Sequence, residues 1–112
     1  MSIRIITDDV VKHALEVLKS PDRPAAKARA AHEFMAKQEK VVKARLMGEC
    51  NEKSAAMKER YALAHSDYLD ALNATRVIAE QDYSERERRD AAKAIIDAWR
   101  TEQSNERAHA RG

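Results

Sequence analysis

The stretch that decides the fold is Ser66–Ala108, SDYLDALNATRVIAEQDYSERERRDAAKAIIDAWRTEQSNERA. It contains no Gly and no Pro, and its apolar residues recur three and four apart. That is the spacing of one face of an α-helix, whereas a half-buried strand would alternate. The rest of the chain follows suit: 21 Ala stand against two Gly and two Pro, and 36% of the 112 residues are charged. The expected fold is all-α, an elongated antiparallel helical hairpin or small helical bundle with a short N-terminal helix.

Within this stretch the apolar face moves. At ~100° per residue, Leu72, Ala79 and Tyr83 fall on one side, and Ala92, Ile95 and Trp99 nearly opposite. A straight helix cannot serve one partner along both halves, so either it bends or each half packs on something different. Ser84-Glu85-Arg86-Glu87 has the form of a capping box, which would place a break near Ser84. An uninterrupted helix with Ser84 facing solvent is the alternative, and the sequence leaves 66–108 as one helix or two.

Working outward, His65-Ser66-Asp67 marks a reversal, with Ser66 as cap of the second arm, 66–108. The first arm, 23–64, holds two pieces. Ser54 starts the later one, with Met57, Tyr61 and Ala64 on one side. In the earlier one, Ala28, Ala31, Met35, Val42 and Leu46 form a stripe with Phe34 and Val41 on its shoulder. Gly48 suits the C′ position after Met47; alternatively the helix continues through it at a cost of about 1 kcal/mol. Ser20-Pro21-Asp22-Arg23-Pro24 is a clear boundary, since Pro21 removes a donor and restricts its neighbour. Asp22 can cap the next helix, with Pro24 in its first turn. Before it, residues 8–19 form a short helix with Thr7 as N-cap, Asp8 and Asp9 at the positive end of the dipole, and Val10, Val11, Ala14, Leu15, Val17 and Leu18 at helical spacing. Residues 1–6 read as an extended arm. The whole chain, 1–112, is one helical domain.

The core is thin. Leu, Ile, Val and Phe make up 19 of 112 residues, and Ala allows close approach but buries little area at about 25 cal/mol per Å². Such a chain gains by covering a helix face with a second copy or a partner, so a homo-oligomer is expected. The single cysteine, Cys50, excludes an internal disulfide and suits the cytoplasm. The N-terminus lacks the apolar length of a signal peptide, and no run approaches the roughly 20 apolar residues of a membrane span.

Catalytic signatures are missing. Two glycines cannot build a phosphate cradle, and no G-x-S-x-G occurs. His32-Glu33 begins like a zinc-protease helix, but Ala36 and Lys37 stand where the second His would be needed. His13, His32, His65 and His109 are scattered, and Cys50 has no nearby Cys. No enzyme, metal or cofactor is expected. The pattern that remains is a basic stripe. Arg86, Lys93, Arg100 and Arg107 repeat every seven residues, with Arg89 and Arg111 close to the same side. It faces away from Ile95 and Trp99, so the helix could dock by one face and offer cations to phosphates or an acidic partner on the other. Glu85, Glu87, Asp90, Asp97, Glu102 and Glu106 interleave, and pairing three or four residues apart would weaken that field. Tyr83, Ile95 and Trp99 are the candidate interface residues; Trp99 reads first as a core anchor and alternatively as an interface hot spot beside Arg100.

In ALAHSDYLDAL, Ala62–Leu72, and WRTEQSNER, Trp99–Arg107, the chain resembles small uncharacterised helical proteins of tailed phages and prophages found among replication and recombination genes. The resemblance covers about residues 25–107. It implies a role in DNA metabolism or in countering a host system, in the host cytoplasm. Two functions follow as expectations: a non-catalytic adaptor or inhibitor docking on a protein partner, or a nucleic-acid-binding accessory using the C-terminal stripe.

Overall fold

Thr7 opens the first helix with its own side chain. Its Oγ1 accepts the amide of Val10 at 3.3 Å, and Asp8 and Asp9 occupy the first turn of α1, Asp8–Leu18. The computed structural model describes residues 6–111; of the expected arm at 1–6, all but Ile6 lies outside the described residues. After α1 come α2 (Pro24–Glu49), α3 (Ala55–Ala64) and α4 (Ser66–Arg111). Among the described residues there is no strand, and the protein is all-α with a short N-terminal helix.

The helix boundaries correct several local expectations. Pro24 is the first residue of α2, but Arg23, not Asp22, precedes it, with a left-handed φ of 51°. Gly48 is not a C′ residue. It lies inside α2, which runs to Glu49, and no described glycine has positive φ. Ser54 does cap α3, accepting the Met57 amide at 3.1 Å. The α3–α4 junction uses His65 rather than Ser66. His65 is extended, its carbonyl accepts the amides of Tyr68 and Leu69, and its Nδ1 accepts the Asp67 amide at 3.0 Å. A histidine thus satisfies the orphan donors that a Ser, Thr or Asp usually takes.

α4 is one helix of 46 residues. Ser84 sits within it, so the capping box does not form. The chain nonetheless divides there into two compact units, Met1–Pro24 with Ser84–Gly112, and Ala25–Tyr83. Each half of α4 packs within its own unit.

In the unit of residues 25–83, α2 and α4 run antiparallel. Arg45 reaches Asp67 at 3.0 Å, the Thr75 hydroxyl donates to the Met35 carbonyl at 3.3 Å, and His32 meets Asp82 at 2.8 Å. Late α2 thus meets the start of α4, and early α2 meets α4 around Asp82. Beside half-enclosed Ala25, Ala36, Gln38, Lys43 and Met47 of α2 and Ala74 and Ala79 of α4, a central row is enclosed or half-enclosed: Ala28, His32, Met35, Glu39, Val42 and Leu46 on α2, and Tyr68, Ala71, Thr75, Ile78 and Asp82 on α4. Their spacing alternates between three and four, as in a coiled-coil seam. Leu72 and Tyr83, expected inward, are exposed. Polar Thr75 and Asp82 hold inward positions instead, so the opposed faces inferred from Leu72 and Tyr83 do not exist. Ala31, Phe34 and Val41 are also exposed. In α3 the buried residue is Ala62, while Met57, Tyr61 and Ala64 face out.

In the other unit, Val11 and Ala14 of α1 bury against Ala92 and Ile96 of α4. Ile6, Val17, Leu18, Ile95 and Trp99 pack around them. Small Ala14 and Ala92 are almost fully covered, at 2% and 3% exposure. Alanines on both helices of this cluster let the helix backbones approach closely, which offsets the small area each buries.

Candidate functional site

The apolar groups of α1 are not all spent on that core. Val10 and Leu15 stay exposed. Leu15 and Val11, with Pro21 and Trp99, line a cleft of about 720 Å³. Asp8, Lys12, Glu16 and Lys19 of α1 also line it, in order of alternating sign. Their spacing of four, four and three keeps them on one side of α1. An apolar floor beside a row of alternating charge resembles the flank of a coiled-coil seam, where charged positions select the partner.

Trp99 lines this cleft, and Ile95 is half-buried against the same core without lining it. Tyr83, the third expected interface residue, belongs to the other unit. There it is exposed and meets the His32 ring edge-on, with centroids 5.8 Å apart. The structure does not bring these three residues together.

The expected cations all lie in the unit that holds the cleft. Arg86, Arg89, Lys93, Arg100, Arg107 and Arg111 are exposed on α4. At ~100° per residue, they occupy a sector beside the Ala92–Ile96 face, on the flank away from Ile95. Expected pairing with the interleaved acids is sparse. Among the described residues, Arg89, Lys93, Arg100, Arg107 and Arg111 make no ion pair. Arg88, outside the stripe, pairs with Glu85 at 4.0 Å. Glu85, Glu102 and Glu106 are half-buried, so part of the acidic charge is drawn in while the cations face water.

The other polar constellation was not legible as a unit. Asp82 is fully buried, and its Oδ2 lies 2.8 Å from His32 Nδ1. Thr75 lies one heptad before Asp82 on α4 and hydrogen-bonds both Met35 and Ala71 carbonyls. Near the other end of the unit, Lys43 donates to Glu59 at 2.9 Å, and this hydrogen bond holds the ammonium pKa above its ordinary value. Spacing from His32 along α2 and from Asp82 along α4 would have exposed the seam, had polar residues been allowed in it.

Among the described residues, no group of three or more His, Cys, Asp and Glu side chains is placed to hold a metal ion. No described helix is long and apolar enough to cross a membrane. Comparison of the chain with protein-family models, with curated proteins and with solved structures finds no match.

Proposed function

We propose that this chain is a phage-type, non-catalytic helical interaction protein, an adaptor or inhibitor that docks on a protein partner in the cytoplasm. The observation that carries this reading is the cleft floored by Val11, Leu15 and Trp99 and edged by Asp8, Lys12, Glu16 and Lys19. Its occupant is an amphipathic helix of the partner. An apolar stripe would fill the floor, and charges spaced four apart would pair with the α1 row. Trp99 is the anchor such interfaces concentrate their energy on. The resemblance to phage proteins supports a partner in host or phage DNA-metabolism or defence machinery.

The test is capture from a nuclease-treated host lysate, followed by titration of the recovered partner against Trp99 fluorescence. Leu15→Glu adds a charge at an exposed helix position, so circular dichroism should be unchanged. It should abolish capture and the shift in Trp99 emission. Failure to capture any protein, or capture that survives Leu15→Glu, overturns the reading.

Self-association belongs to the same proposal. Phe34, Val41, Leu69, Leu72, Val77 and Tyr83 leave large apolar side chains exposed in the unit of residues 25–83, and apolar surface of this kind marks contact sites when it is contiguous. Sedimentation at micromolar concentration should show a dimer or larger species. A compact monomer overturns that part.

A further inference from the structure

We infer a second binding surface, distinct from the cleft: the basic flank of α4 holds the phosphate backbone of a nucleic-acid duplex without regard to its sequence. The inference does not depend on the protein-docking proposal, because different residues carry it.

Arg86, Arg89, Lys93, Arg100, Arg107 and Arg111 fall in a sector about 60° wide on a helix turning about 100° per residue. They extend over roughly 37 Å at about 1.5 Å per residue. All six are exposed. Five of them, Arg89 to Arg111, are in no ion pair among the described residues, so their charge is not cancelled by a carboxylate at contact distance. Asp90 and Asp97 border the sector, and the half-buried Glu102 and Glu106 lie on the opposite flank. A row of cations fixed on one rigid helix can release condensed counterions on meeting a polyanion.

The same sector indicates which polyanion. It contains no aromatic ring: Trp99 lies on the other flank, and Tyr83 belongs to the other unit. Single-strand binders stack bases on aromatic side chains, and this surface has none to offer. It also lacks Asn and Gln, which read adenine edges. A line of cations without stacking side chains fits duplex phosphates.

The experiment is fluorescence anisotropy with a mixed-sequence DNA duplex and a single strand of equal length, at low and moderate salt. With four to six phosphate contacts, raising salt from 50 to 200 mM should weaken duplex binding by about 10²–10³-fold. The variant Arg89→Gln, Lys93→Gln, Arg100→Gln, Arg107→Gln should lower the salt slope by roughly 0.9 per lost contact. A charge-matched control with Lys27, Arg29, Lys40 and Arg76 changed to Gln should bind like wild type within a few-fold. So should a variant with Arg89, Arg100 and Arg107 changed to Lys, which keeps the charge and guards against loss of fold in the Gln variant. The inference is overturned if wild type fails to bind duplex at low salt, if the control loses as much affinity as the stripe variant, or if the single strand binds more tightly than the duplex.

Discussion

His32 and Asp82, fifty residues apart in sequence, meet across the α2–α4 seam with Nδ1 and Oδ2 2.8 Å apart. The two ends of the contact differ. Asp82 is fully buried, while 23% of the His32 side chain is exposed. His32→Ala should therefore be the more damaging change. It removes one hydrogen-bonding partner of a fully buried carboxylate and should cost about 2 kcal/mol. Asp82→Ala leaves an imidazole that still reaches water and should cost about 1 kcal/mol. Urea unfolding of the two single variants measures the difference, and equal losses would contradict this asymmetry.

Two serines separate a cap from a helix interior. Ser54 accepts the Met57 amide at the start of α3, so Ser54→Ala should cost about 1 kcal/mol. Ser84 lies within α4, where Ala is the better helix former by about 0.5 kcal/mol. Ser84→Ala should leave the melting temperature unchanged or raise it slightly.

Gly48 offers the reverse of the usual glycine prediction. It is helical without positive φ, and a Cβ built on it meets nothing within 4 Å. Gly48→Ala should stabilise by about 0.4–1 kcal/mol, largely by restricting the unfolded chain. A destabilised variant would show that the residue needs glycine's freedom after all.

The Lys43–Glu59 contact should fade in base. Its hydrogen bond raises the lysine pKa in the folded state. Its stabilisation is thus complete below the unfolded lysine value of about 10.4 and is lost as pH rises through the higher folded value. A double-mutant cycle with Lys43→Met and Glu59→Gln should show coupling at about pH 8 and less at about pH 11. Coupling that grows with pH would reverse the assignment.

Much of the helical layout was legible because it rests on local chemistry. Thr7 and Ser54 cap by side-chain oxygen, and Pro24 starts a helix where its missing amide is harmless. The inward face of early α4 was not legible. Apolar periodicity selects Leu72 and Tyr83, but the structure turns Thr75 and Asp82 inward because each finds a partner on α2. Hydrophobicity says nothing of such partners. The stripe was legible as spacing, yet that Arg89, Lys93, Arg100, Arg107 and Arg111 make no ion pair among the described residues was not, since that depends on rotamers. The cleft was only half visible: Trp99 stood out, but its neighbours Leu15 and Pro21 come from the other end of the chain.

The His32–Asp82 contact also decides which hairpins are not formed. Ala28, Ala36 and Ala71 would tolerate many registers between α2 and α4, since a small side chain fits almost any opposing position. Slipping α2 by one heptad would set Asp82 beside Glu39 in one direction and beside Ala25 in the other. The first slip crowds two carboxylates, and the second leaves a buried carboxylate facing a methyl group. Where small alanines leave the seam permissive, the His32–Asp82 contact thereby acts as the ruler that tells the correct alignment from its neighbours.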